Sequence, residues 1–279
     1  IHTMIKDDVA GEPGNIAQIR ASTATLLSLA KETSIPILII GHVTKDGGVA
    51  GPKTLEHMVD TVLSFEGDPY RGMRILRATK NRFGSTNEIG MFRMKDTGLE
   101  EVPDISTVLL SGRDANASGS IVTCLMEGAR PMLVEIQALV TKTVFGYPIR
   151  KASGFDTNRL QVLTAVLEQR AGLHLSQSDI HINVVGGIAA DEPAADLAVC
   201  LAIASAYKNK PAGKTLAVFG EVGLLGEVRA VPRVDERIAA CERMGFTTLF
   251  IPNGEEAVKN KKTSLSPIRH LSELIAKTA

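Results

Sequence analysis

What this chain lacks narrows its roles before any motif is weighed. It has no charge of one sign to spare: 31 Lys and Arg stand against 31 Asp and Glu. Coating a nucleic acid through bulk positive charge is therefore excluded, which leaves a local basic patch or a channel lined only in an assembly. Cysteine is scarce, and Cys124, Cys200 and Cys241 are odd in number and far apart. With no C-x-x-C among them, they read as buried thiols in a reducing compartment, without a disulfide framework or a zinc site. No apolar run is long enough to cross a bilayer and no signal peptide is visible, so no membrane partner is expected. Cytoplasm is the default location, or an organelle if the source is a plant or alga. The six histidines fall in no metal-ligating spacing. There is no internal repeat and no low-complexity tract.

What is present is an ordinary globular composition. Of 279 residues, 44% are hydrophobic and 22% charged, enough for one or two domains with a substantial core. The chain opens on Ile1 in mid-pattern, which points to a piece of a longer protein. From Asn15 to Lys31, Ile16, Ile19, Leu26, Leu27 and Ala30 keep helical spacing, with Asn15 as cap. "IPILIIGHV" (35–43) is continuously apolar, the mark of a strand buried on both faces of a parallel sheet. Its parallel neighbours are expected before Ile1. A glycine-rich loop (44–54), a short helix near 55–58 and strands near 60–66, 73–80 and 88–94 follow. The small, polar "SGRDANASGS" (111–120) reads as the joint between a domain at 1–112 and another at 113–279. Beyond it come a hairpin turned at 128–131, a helix capped by Asp156, a strand near 179–187 and a helix over 193–207 without a polar face. A strand at 215–222, a helix over 232–244 stopped by Gly245 and a strand at 247–252 complete an α/β or α+β pattern.

One apparent motif fails on inspection. "PAGKT" (211–215) ends like a phosphate-binding P-loop, but position 208 is lysine where that loop needs glycine. The order here is also helix, loop, strand rather than strand, loop, helix. "KNRFG" (80–84) is more telling. On an extended backbone Lys80 and Arg82 share a face and reach toward one object. A solvated hairpin end and a phosphate grip both fit that arrangement. His42 ends an apolar strand ahead of Thr44, Lys45 and a flexible loop, the place where open parallel sheets bind ligands.

"GHVTKDGGVAGPKTLEHMVDTVLSFEGD" followed by "RILRATKNRFGSTNEIGMFRM" closely resembles the RadA (Sms) family of bacterial-type DNA repair proteins, and the resemblance extends along essentially the whole chain. It implies the C-terminal half of a RecA-like P-loop ATPase core (1–112), followed by an α+β Lon protease-like domain (113–279). It implies a DNA-dependent ATPase and helicase-type motor of recombinational repair, acting in branch migration and break repair as a hexameric ring. The partners implied are single-stranded and branched DNA and a RecA-type recombinase. ATP and Mg2+ are the implied cofactors, with the P-loop and the metal-binding aspartate outside this chain, and zinc belongs to an N-terminal region absent here. By itself the chain lacks half of the ATP site. By the same resemblance Lys80, Asn81, Arg82 and Gly84 form a hairpin that reaches the neighbouring subunit's nucleotide. Lys80 and Arg82 would serve in catalysis, with His42 sensing the γ-phosphate, and Thr44, Lys45, Lys53 and Arg159 would contact DNA.

Active Lon proteases carry their serine in K-D-G-P-S-A-G and use a lysine on a later helix as base. Here "ADEPAAD" puts Ala194 at the serine's place, and "VRAVPRVDERIAACERMG" puts Asp235 at the lysine's. Alanine has no nucleophilic atom, and aspartate does not substitute for a desolvated amine, so a degenerate dyad and no peptidase are expected. Two other readings stay in play: an active Lon-type serine peptidase, and a non-enzymatic, ring-forming DNA-binding scaffold using cations such as Lys208, Lys210, Lys214 and Arg229.

Overall fold

The computed structural model describes residues 1–41, 51–68, 73–86, 88–144, 146–254 and 263–277. The chain packs as two compact units, Ile1–Phe92 and Arg93–Ala279. The division falls ahead of the joint expected after residue 112.

In the first unit, helix α1 (Ile16–Thr33) begins where Asn15 accepts a hydrogen bond from Ala17 N, as its capping chemistry predicts. The buried Gln18 side chain fastens the preceding segment, accepting from Lys6 N at 2.8 Å and donating to the Lys6 and Gly11 carbonyls. The expected buried strand is not formed. Residues 35–41 carry no strand pairing, and Leu38 and Ile40 are 82% and 68% exposed. A parallel strand takes all its hydrogen bonds and both its packing faces from neighbours, and the described residues supply none. Helix α2 (Gly51–Met58) leads into β1 (Thr61–Asp68), which pairs antiparallel with β2 (Met73–Asn81). Strand β3 (Ile89–Lys95), which runs past the division at Phe92, and β4 (Gly98–Glu101), which follows it, complete the strand order β1-β2-β3-β4. Strands β1, β2 and β3 fall within a residue or two of their expected spans.

The second unit is built on a seven-stranded mixed sheet. Helix α3 (Ile105–Leu109), capped by Asp104, was not legible in the sequence. The predicted hairpin is present as β5 (Ser120–Glu127) and β6 (Arg130–Lys142). Next come β7 (Arg150–Ser153), helix α4 (Thr157–Ala171) capped by Asp156, and β8 (Ser178–Val184). A short 3-10 turn (Pro193–Ala195) enters α5 (Asp196–Lys208), followed by β9 (Leu216–Val218), β10 (Glu221–Val222) and β11 (Val228–Arg229). Helix α6 (Val234–Arg243), β12 (Thr248–Pro252), β13 (Ser264–Ile268) and α7 (Leu271–Lys277) close the chain. The sheet order is β13-β12-β9-β5-β6-β8-β7. The α/β or α+β pattern expected for this half appears as helices packed with one mixed sheet.

Helix α5 is the core element that its composition foretold, with every residue from Asp196 to Ser205 buried. Gly119, at the end of the polar 111–120 stretch, has φ +84°, and a Cβ there would meet the Ala138 carbonyl at 2.3 Å. Only glycine lets the chain enter β5 so close to β6. All three cysteines are buried and free, and desolvation pushes the Cys200 thiol well above its usual range.

Arg159 of α4 clamps the start of α5. Its guanidinium takes both oxygens of Asp196, which is only 1% exposed, and also donates to the Val222 carbonyl at 2.8 Å. Burial raises the Asp196 carboxyl above its usual range, and the hydrogen bond from Arg159 pulls it part of the way back. Arg159→Ala strands that carboxylate, and we expect a stability loss of about 3 kcal/mol at neutral pH. A carboxyl whose folded pKa is raised takes up its proton more readily when folded, so its penalty disappears below the unfolded value and grows as pH rises. The variant's deficit in urea melts is therefore larger at neutral than at acidic pH; a deficit independent of pH would contradict this role for Asp196.

Candidate functional site

Lys80 and Arg82 do reach toward one object, and in the isolated chain that object is the segment joining α2 to β1. Lys80 Nζ donates to the carbonyls of Glu56 at 2.6 Å, Val59 at 2.8 Å and His57 at 3.4 Å. An ammonium has three donors, and here all three sit on carbonyls at and just past the C-terminus of α2, where the helix dipole favours a cation. Arg82 donates its backbone N–H to the Asp60 carbonyl, and its guanidinium pairs with Asp60 Oδ1 at 3.0 Å. The two cations thus differ in freedom. Lys80 is held by backbone, whereas Arg82 is 58% exposed and, among the described residues, its side chain is tied to a 40% exposed carboxylate. Such a surface pair is worth about 0–1 kcal/mol.

Asn81 shapes the tip between them. Its Oδ1 accepts from Phe83 N at 3.1 Å and from Thr61 Oγ1 at 3.4 Å, while its Nδ2 donates to the Ser85 carbonyl. Gly84 lies against this amide, where a Cβ would approach Nδ2 to 3.3 Å. The turn leaves Phe83 82% exposed. Neither Asp60 as partner of Arg82 nor the exposure of Phe83 was foreseen; the aspartate lies twenty-two positions upstream, beyond any local pattern.

His42, Thr44 and Lys45 lie outside the described residues. Lys53 is in the first turn of α2. Arg159, expected at a DNA surface, is the clamp on Asp196 described above, with a side chain 33% exposed. Among the other cations weighed, Arg229 bonds Glu227 and Lys208 reaches the Ile275 carbonyl at 3.4 Å, while Lys210 and Lys214 are exposed. No group of histidines, cysteines and carboxylates able to hold a metal occurs among the described residues. The "PAGKT" stretch leads from α5 into strand β9 and not into a helix, so it offers no helix N-terminus to a phosphate.

At the degenerate dyad, Ala194 is 1% exposed within the 3-10 turn and belongs to a core cluster with Phe219, Val234 and Ile238. Asp235 is exposed in the first turn of α6. Beside them stands a pair the sequence reading passed over. Arg237, 1% exposed, holds Glu192 through two parallel bonds at 2.8 and 2.7 Å, and also donates to the carbonyls of Cys124 and Pro232. Glu192 Oε1 further accepts from Met126 N at 2.7 Å. Glu192 occupies the glycine position of K-D-G-P-S-A-G, and Arg237 lies two residues past Asp235. Both substitutions were visible in the quoted stretches, but their meeting was not. Ser205, the nearest serine, is equally committed: its Oγ accepts from Gly119 N and donates to the Lys210 carbonyl.

Residues 162–267 match the Lon protease (S16) C-terminal proteolytic domain. The chain is 50% identical over 253 residues to the DNA repair protein RadA of Halalkalibacterium halodurans, covering 91% of this chain and 55% of that protein. It is 51% identical over 256 residues to RadA of Listeria monocytogenes, covering 92% and 56%, and 50% identical over 252 residues to RadA of Bacillus subtilis, covering 90% and 55%. The chain thus spans about half the length of the curated relatives it matches. Over nine-tenths of its own length it is a homologue of the bacterial DNA repair protein RadA, and it carries a Lon protease-like C-terminal domain.

Proposed function

We propose that the chain is the C-terminal part of an ATP-driven, DNA-dependent motor of recombinational repair, and that its Lon-like domain is a scaffold without peptidase activity. The observation that supports this most is the unequal tethering of the two cations at the 80–84 tip. Lys80, seated on three carbonyls, sets the height and direction of the tip. Arg82, tied to Asp60 by a weak exposed pair, is available to leave it and offer its planar fork to a phosphate held by a neighbouring subunit. A cation supplied in trans contributes several powers of ten to phosphoryl transfer, mostly by electrostatics. This reading divides the labour: Arg82 touches phosphate, and Lys80, Asn81 and Gly84 position it.

ATP and Mg2+ fit this scheme only as groups held mainly by polypeptide outside this chain, because no described loop here has P-loop geometry. The remainder of the reading follows the RadA relatives. His42 would sense the γ-phosphate, Thr44, Lys45 and Lys53 would meet single-stranded DNA, and a hexameric ring would bring each tip to its neighbour. Branched DNA and a RecA-type recombinase are the further partners proposed.

In a longer chain that includes the P-loop, Arg82→Ala is expected to lower DNA-stimulated ATP turnover by about a thousandfold or more while ATP binding persists. Asp60→Ala, which frees the same guanidinium, is expected to leave turnover near normal. Unaltered turnover in Arg82→Ala would remove the motor role of the tip. For the second domain we expect no casein cleavage, and none after Ala194→Ser alone, because no general base accompanies the new hydroxyl. Digestion by the unaltered chain would overturn the scaffold reading.

A further inference from the structure

Phe83 has no role in the division of labour given above, yet the 80–84 turn is braced on both sides of it. Arg82 donates its N–H to the Asp60 carbonyl at 3.0 Å, and Phe83 donates its own to Asn81 Oδ1 at 3.1 Å. Beyond the ring, Asn81 Nδ2 donates to the Ser85 carbonyl at 3.4 Å. The side chain between these bonds is 82% exposed. A single apolar side chain in water calls for no explanation by itself. One held out by a tied backbone differs, because a ring already aimed loses little further freedom when something covers it. Elsewhere in this unit Phe65 and Phe92 pack on one another, with ring centroids 6.4 Å apart.

What covers the ring follows from its neighbour in the chain. Consecutive Cα atoms are about 3.8 Å apart, so a surface that receives Arg82 comes within reach of Phe83. In the reading of the tip proposed above, on which this inference rests, Arg82 is received by a phosphate in a neighbouring copy. The polypeptide around that phosphate is then what the ring meets, and an aromatic anchor is the usual centre of such a contact. A strand of DNA fits less well. Single strands are held by a groove of several cations with bases stacked on aromatic rings. Here Lys80 is spent on three carbonyls and Arg82 stands beside the Asp60 carboxylate. One available cation next to an acid does not track a phosphate backbone.

We infer that Phe83 is the apolar anchor by which the 80–84 tip docks on a second copy of the protein, and that Arg82 is aimed at the neighbour's phosphate while that ring is seated. Phe83 is thus a positioning residue and touches no reacting atom. The experiment uses a longer chain that includes the P-loop. With photoreactive benzoylphenylalanine in place of Phe83, irradiation with ATP and single-stranded DNA present is expected to join two protein chains and leave the DNA unattached. Adducts to DNA, or no joined pair of chains, would overturn the inference. Phe83→Ala should raise the protein concentration at half-maximal ATP turnover by about tenfold or more, the loss expected when a phenylalanine goes unburied. Phe83→Leu should recover part of that shift. Because the ring is exposed, thermal melting of both variants should match that of the unaltered chain. An unmoved midpoint in Phe83→Ala also counts against the anchor. The phosphate reading fails separately, through Arg82→Ala: full turnover in that variant removes it, whatever partner the ring at position 83 is found to touch.

Discussion

The second unit is organised around a guanidinium that has left water. Arg237 is 1% exposed, and such a charge is tolerable only when its donors find partners, as four of its N–H groups do. Its answers come from three places in the chain: the Cys124 carbonyl on β5, the Pro232 carbonyl before α6, and both oxygens of Glu192. Because those partners are far apart in sequence, satisfying Arg237 fixes where α6 and the turn into α5 sit on the sheet. The same interaction bears on the proposal that this domain has no peptidase activity. Where a Lon protease presents a glycine beside its serine, this chain places an acid locked by a bidentate pair. The degenerate dyad is therefore more than two missing groups, since its surroundings have become a structural joint.

A second helix end shows the same economy on a smaller scale. Helix α2 leaves carbonyls unpaired at its C-terminus, and Lys80 closes them from a neighbouring strand. That bond makes the 80–84 tip a continuation of folded structure, so its one loosely held cation projects from a fixed base. Rigidity behind a weakly paired charge is what the proposed action on a neighbour's phosphate requires, because positioning accounts for much of the rate in such transfers. Asn81 contributes in the same way, bracing the turn through Phe83 N and the Ser85 carbonyl.

Much of the architecture was legible because it rests on local chemistry. Asn15 and Asp156 announced α1 and α4 through capping. The β5–β6 hairpin followed from two alternating runs around Gly128, and the unbroken apolarity of residues 197–204 foretold a buried helix. What escaped was set by partners. Residues 35–41 have the composition of an inner strand and yet are largely exposed, because a parallel strand is defined by neighbours and the described residues supply none. The edge strand β7, the parallel β13 and the short α3 and α7 carry little pattern of their own and exist through docking on the sheet.

The candidate site divides along the same line. The sequence by itself determined that Lys80 and Arg82 share a face, that the places of the Lon serine and lysine fall on Ala194 and Asp235, and that "PAGKT" lacks the first glycine of a P-loop, because each follows from residue type and spacing. Only the tertiary structure decided that Lys80 is held by three carbonyls while Arg82 pairs with an exposed Asp60, that Arg159 serves Asp196, and that Arg237 meets Glu192. The reason is physical: a side chain's charge is written in the sequence, but whether that charge is spent depends on donors and acceptors brought to it from tens of residues away.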